Sequence, residues 1–162
     1  MAQDVFVLGG KRTPMGEYVG ALKDISAIEL GAIASRATLE TTGVAPEQID
    51  HAIFGNALQT SGDAIYGARH VALKASIPFD RPALTVNRLC GSGIQSIISG
   101  AQMIQLGEAQ TVSGWWYGIN VAGAACYSWR TFRIRAWPRQ VGGQFDGRVA
   151  RHLLQHADGR YG

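Results

Sequence analysis

The chain has 162 residues, 46% hydrophobic and 17% charged, with a formal net charge of +3. That is the length of one domain with a real core and the composition of a globular protein rather than a disordered one. No apolar run reaches the roughly 20 residues of a membrane span. The first residues lack a secretory pattern and two cysteines make no disulfide scaffold, so a reducing, cytoplasmic setting is expected.

In chain order, Asp4 to Gly9 reads as a short buried strand ending in glycine. Lys11 to Gly20, with Pro14 and Gly16, is a loop. Ser26 is placed as an N-cap with Glu29 at the capping-box position. The helix it opens carries Ile28, Leu30, Ile33, Ala34, Ala37 and Leu39 on one broad face and ends at Gly43. Pro46 to Ile49 is a turn or helical step, Ala52 to Gly55 a second strand, and Ala64 to Lys74 a second helix. Leu84 to Asn87 is a third strand, Ser92 to Leu106 a third helix, and Ala109 to Val112 a fourth strand. Strands alternating with helices predict an α/β fold, a parallel or mixed sheet flanked by helices.

The junction of the third strand and third helix, Val86-Asn87-Arg88-Leu89-Cys90-Gly91-Ser92-Gly93, holds the candidate chemistry. A cysteine at the mouth of a helix meets unpaired N–H groups and the positive end of the helix dipole. Both favour thiolate, the nucleophilic form. The glycines let a substrate come close to the backbone, and the carboxyl end of a strand is where open α/β sheets place their sites. The N–H groups around Cys90 and Gly91 are candidate oxyanion donors. The competing reading is a cysteine that fills core space as a small hydrophobe. Position alone leaves both open.

The text changes after Val112. Up to that residue 8 Lys and Arg face 10 Asp and Glu; beyond it 7 Arg face 2 Asp, and all four Trp follow it. The run Trp129 to Arg139 alternates apolar and basic residues, as an edge strand can. A basic, aromatic arm can bind nucleic acid or lie on an anionic membrane. The reading favoured here gives it no selected role, with neither nucleic acid nor membrane as partner. His152 and His156 stand four apart, a metal-binding spacing on a helix, but no third ligand accompanies them and no metal is expected.

Several segments together resemble one family. Lys11-Arg12-Thr13-Pro14 with Gly16, Phe54-Gly55-Asn56-Ala57-Leu58-Gln59, Gly67 to Pro78 and Asn87 to Gly93 resemble, in order and spacing, motifs of the thiolases. The likeness runs from about residue 3 to 112. It implies a layered α-β-α-β-α fold of two similar halves, of which this chain holds part of the first. It implies Cys90 as the acyl-thioester nucleophile, coenzyme A thioesters as substrates, no covalently bound cofactor and a homo-oligomer of two or four chains. The family's histidine base in a "GHP" motif and its second acid/base in a "CxG" motif do not occur here, and Cys126-Tyr127-Ser128 does not supply the latter. His51 is read as the start of a strand and His70 as a helix residue. The resemblance therefore implies a thiolase-type acyltransferase that does not turn over as this chain alone. The alternative is a non-catalytic fragment with at most an association role; a related ketoacyl-synthase-like enzyme fits the segments less well.

The resemblance also divides the chain into residues 1–112 and 113–162. Gly114 to Tyr127 back-translates, with permitted codons, into a string that reads A-G-G-M-E-S-M-S-Q-A-P-H-V one base later, which is thiolase-like. Arg151 to Arg160 gives G-T-Y-C-N-M-P-M-A in the same shifted frame. A one-base frame change near Ser113–Gly114 is the expectation that follows. Strand and helix faces that pack on a second half are expected to be exposed, with poor solubility as the result.

Overall fold

The computed structural model describes residues 4–17, 19–116 and 132–136. The core grows from β2, His51–Gly55. Ala52 and Phe54 point to one side of it and Ile53 to the other, as period-two geometry requires. On the first side α1, Ala27–Thr42, and α2, Gly67–Lys74, pack together over the strand. There Ile28, Leu30, Leu39, Ile49, Val71 and Ile77 join Phe54 in one buried cluster. On the other side α3, Ser92–Leu106, covers Ile53 with Ile104, beside Val112 and Ala109. The result is a helix layer, a sheet and a further helix.

The remaining strands are β1, Val5–Val7, β3, Ala83–Val86, β4, Thr111–Trp116, and β5, Phe132–Ala136. They are ordered β1-β5-β4-β2-β3. β2 is parallel to β3 and β4, whereas β5 runs antiparallel to β1 and β4. The sheet is mixed and flanked by helices, as the alternation of elements predicts.

The local chemistry of the ends holds. Ser26 Oγ accepts the N–H of Glu29 at 3.1 Å, and Gly43 closes α1 at φ 64°, a left-handed conformation suited to glycine. The Glu29 side chain instead pairs with Lys74 at 2.9 Å and Arg36 at 3.7 Å, tying α1 to α2. The hydrogen bond from Lys74 is the first reason its carboxyl is held below the ordinary value. Asp50 Oδ2 accepts the N–H groups of Gln110 at 2.8 Å and Thr111 at 3.0 Å, which joins the starts of β2 and β4.

Several expectations are corrected. β1 is not buried: Phe6 and Val7 are exposed, because β1 is a sheet edge. On α1, Ile33 is exposed and Gly31, Ala32, Ser35 and Thr38 are buried instead, since close packing on α2 favours small side chains. The second helix begins as a 3-10 turn, Ala64–Tyr66. The fourth strand continues to Trp116, and the strand from the Trp129–Arg139 run lies between two others rather than at an edge.

His51 opens β2, as its position suggests, and burial lowers its imidazole below the ordinary 6.5. The unfolded chain therefore takes up the proton first as the pH falls. The neutral ring's contribution is complete above pH 6.5 and declines below it. Melting temperatures between pH 7.5 and 5.5 are expected to fall less steeply in His51→Gln than in the parent.

Candidate active site

The candidate site stands where β3 hands over to α3. Gly55, the last residue of β2, makes that approach possible. A Cβ built there would lie 2.6 Å from the carbonyl carbon and 2.7 Å from the Cβ of Ser92. The first turn of α3 thus rests directly on the sheet backbone. Gly55→Ala is expected to push it away, at a cost of about 1–3 kcal/mol, read as a lowered denaturation midpoint and a changed alkylation rate at Cys90.

Between strand and helix the chain makes a tight turn. Asn87 Oδ1 accepts the Leu89 N–H at 3.0 Å, and its Nδ2 donates to the Ala57 carbonyl at 3.3 Å, linking the turn to the loop after β2. Ser92 Oγ accepts the Arg88 N–H at 2.8 Å and donates to the Leu89 carbonyl at 2.6 Å. The Arg88 side chain reaches Gln95 at 2.6 Å. Within these bonds Leu89 is held at φ 48°, a left-handed conformation costing a branched residue about 1–2 kcal/mol. Cys90 is exposed with a free thiol. The core-filler reading of this cysteine does not describe it.

The helix proper begins at Ser92, with Gly91 as N-cap and no side-chain cap. Cys90 stands just outside the helix, near its N–H end. The Gly91 N–H is directed to the Arg88 carbonyl at 3.0 Å and the Ser92 N–H to that of Leu89 at 3.1 Å. Gly91 is therefore engaged within the turn and is no free oxyanion donor. His70 lies in α2, with Nδ1 3.4 Å from Asp63 Oδ2 and its ring 6.2 Å from Tyr66. The Asp63 carboxyl is held low first by the Ser61 hydroxyl and then, among other groups, by His70. Among the described residues no group of three or more His, Cys, Asp or Glu gathers as a metal site. Cys126, His152 and His156 lie outside the described residues.

Residues 5–114 match the family profile described as thiolase, N-terminal domain. The chain belongs to the thiolase family. This thiolase chain is 53% identical over 112 residues to the human mitochondrial 3-ketoacyl-CoA thiolase, covering 69% of this chain and 28% of that protein. It is 42% identical over 114 residues to a beta-ketothiolase of Cupriavidus necator, covering 70% of this chain and 29% of the relative. The crystal structure of the human mitochondrial enzyme in complex with CoA superposes with a TM-score of 0.68 at 52% identity. That match covers 71% of this chain and 30% of the other. The thiolase chain thus spans under a third of the length of the relatives it matches. The resemblance read from the motifs is confirmed, as is the thiolase-like α/β fold.

Sequence reasoning placed Cys90 but gave Asn87 and Ser92 no role. Their signal was present: Asn two residues before a turn position, and Ser where a helix starts, are residues that bond nearby backbone.

Proposed function

We propose that this chain carries the acyl-accepting part of a thiolase, with Cys90 as nucleophile. Its sulfur attacks the carbonyl carbon of an acyl-CoA. A carbon–sulfur bond forms to Cys90, the thioester bond to coenzyme A breaks, and the departing sulfur takes the proton. Covalent capture divides one hard acyl transfer into two easier steps. The observation that carries the reading is an exposed cysteine on a strained turn at the carboxyl end of β3, inside the segment matched to the thiolase domain. The substrates are acyl-CoA thioesters, without a metal or covalent cofactor. Because the "GHP" and "CxG" motifs are absent from the 162 residues, the chain alone takes up an acyl group without turning over. Incubation with acetyl-CoA is expected to add one acetyl group, mapped by mass spectrometry to the peptide holding Cys90. Thiolysis of acetoacetyl-CoA, followed by enolate absorbance, is expected to be absent. An unmodified Cys90 after incubation overturns the reading.

A second reading, a fragment with an association role alone, is favoured by one observation. Ile94, Ile98 and Leu106 on α3 are exposed, and α3 carries no charged residue. Uptake of acetyl without turnover separates the first reading from this one, which expects neither. A homo-oligomer is carried by the resemblance, and sedimentation of the purified chain tests it.

We further propose that residues 113–162 arise from a one-base frame change. The family match ending at residue 114 supports this. The coding DNA decides it; codons that give no thiolase-like text in the shifted frame overturn it. A cytoplasmic location belongs to the same set of proposals, beside relatives named as mitochondrial. No helix among the described residues is long and apolar enough to cross a membrane. Imaging a tagged chain tests the compartment.

A further inference from the structure

We propose that Ser92 is the positioning residue of the nucleophile turn. Its hydroxyl clamps the backbone of Arg88 and Leu89, so that Leu89 keeps its left-handed conformation and Cys90 is delivered to the surface. The proposal rests on the reading of Cys90 as acyl acceptor.

Three observations carry it. First, Ser92 is fully buried, at 0% exposure, so it does not touch an incoming thioester and acts through the turn. Second, Ser92 is the first helical residue, one place past the N-cap Gly91, so its hydroxyl is not committed to capping the helix. Here α3 has no side-chain cap, and both bonds of the Ser92 hydroxyl run backward, to the Arg88 N–H at 2.8 Å and the Leu89 carbonyl at 2.6 Å. They bracket the residue at φ 48°. Third, Ser92 is itself anchored, because its backbone rests where a Gly55 Cβ would be. Sheet, serine, strained leucine and cysteine form one mechanical chain. Asn87 closes the other side of the turn by accepting the Leu89 N–H at 3.0 Å.

A hydroxyl that sets the orientation of a nucleophile changes the rate of attack rather than the affinity for the attacking partner. A misplacement of about 1 Å costs on the order of 100-fold. In Ser92→Ala the limiting rate of acetyl loading from acetyl-CoA is expected to fall about 10- to 100-fold. The acetyl-CoA concentration giving half that rate is expected to stay unchanged. Adding Leu89→Gly is expected to recover much of the loss, since glycine takes a positive φ without strain. Should Ser92→Ala fail to fold, Asn87→Asp and Asn87→Leu replace it. Aspartate keeps an acceptor for the Leu89 N–H and leucine does not, so the aspartate variant is expected to load the faster by a similar factor. Equal loading by Ser92→Ala and parent overturns the proposal, as does equal loading by the two Asn87 variants or a double variant no better than Ser92→Ala. A parent chain that takes up no acetyl group overturns the acyl-acceptor reading instead, so the two failures are distinct.

Discussion

Exchanging Cys90 for serine is expected to abolish acetyl loading, a loss on the order of 10^4-fold or more. Sulfur is intrinsically a strong nucleophile toward a thioester carbonyl. A serine hydroxyl needs a strong neighbouring base, and the family's histidine motif does not occur in this sequence. Because residue 90 is exposed, the exchange leaves the fold alone, and the stability change is expected within about 0.5 kcal/mol. Mass spectrometry of the loaded chain and a melting curve read the two quantities side by side. Acetyl uptake that persists in Cys90→Ser, on Cys126 or elsewhere, moves the nucleophile off this turn.

Phe54→Ala is expected to cost the fold about 3–5 kcal/mol, much of the 5–15 kcal/mol that holds a typical domain together. Phe54 is fully buried and is the largest of the fully buried side chains among the described residues. It lies on β2, an interior strand between β3 and β4, in one cluster with Ile28, Leu30 and Val71. Truncation leaves a void that rigid neighbours from two helices cannot fill. Denaturant unfolding is expected to show a lowered midpoint with a similar slope. Acetyl loading should also weaken where the variant stays folded, because residue 54 adjoins Gly55, on which Ser92 rests. A midpoint near the parent's would place the core elsewhere.

Periodicity and end signals located most of the elements. Gly43, the Pro46 turn and the Ala52–Gly55 strand stand where their residue types put them. What composition left hidden is which side of an element faces inward. On α3 the apolar residues Ile94, Ile98 and Leu106 mark the helix but are exposed, and the buried side is Ser92, Ser96, Gly100 and Ile104. A helix brought close to a sheet needs small side chains at the contact, and hydropathy does not measure closeness. The strand-to-helix turn that bears Cys90 was legible through its motif. The left-handed Leu89 was not, because leucine gives no sign of a positive φ. That conformation is imposed by Asn87 and Ser92 from either side, and only the folded arrangement displays it.

An uncharged helix with isoleucines turned to water has a meaning for the cell as well as for the test tube. Ile94, Ile98 and Leu106 offer the sort of greasy ridge on which quality-control factors act. Shielding that ridge is expected to lengthen the working lifetime of this polypeptide, read as slower turnover in cells.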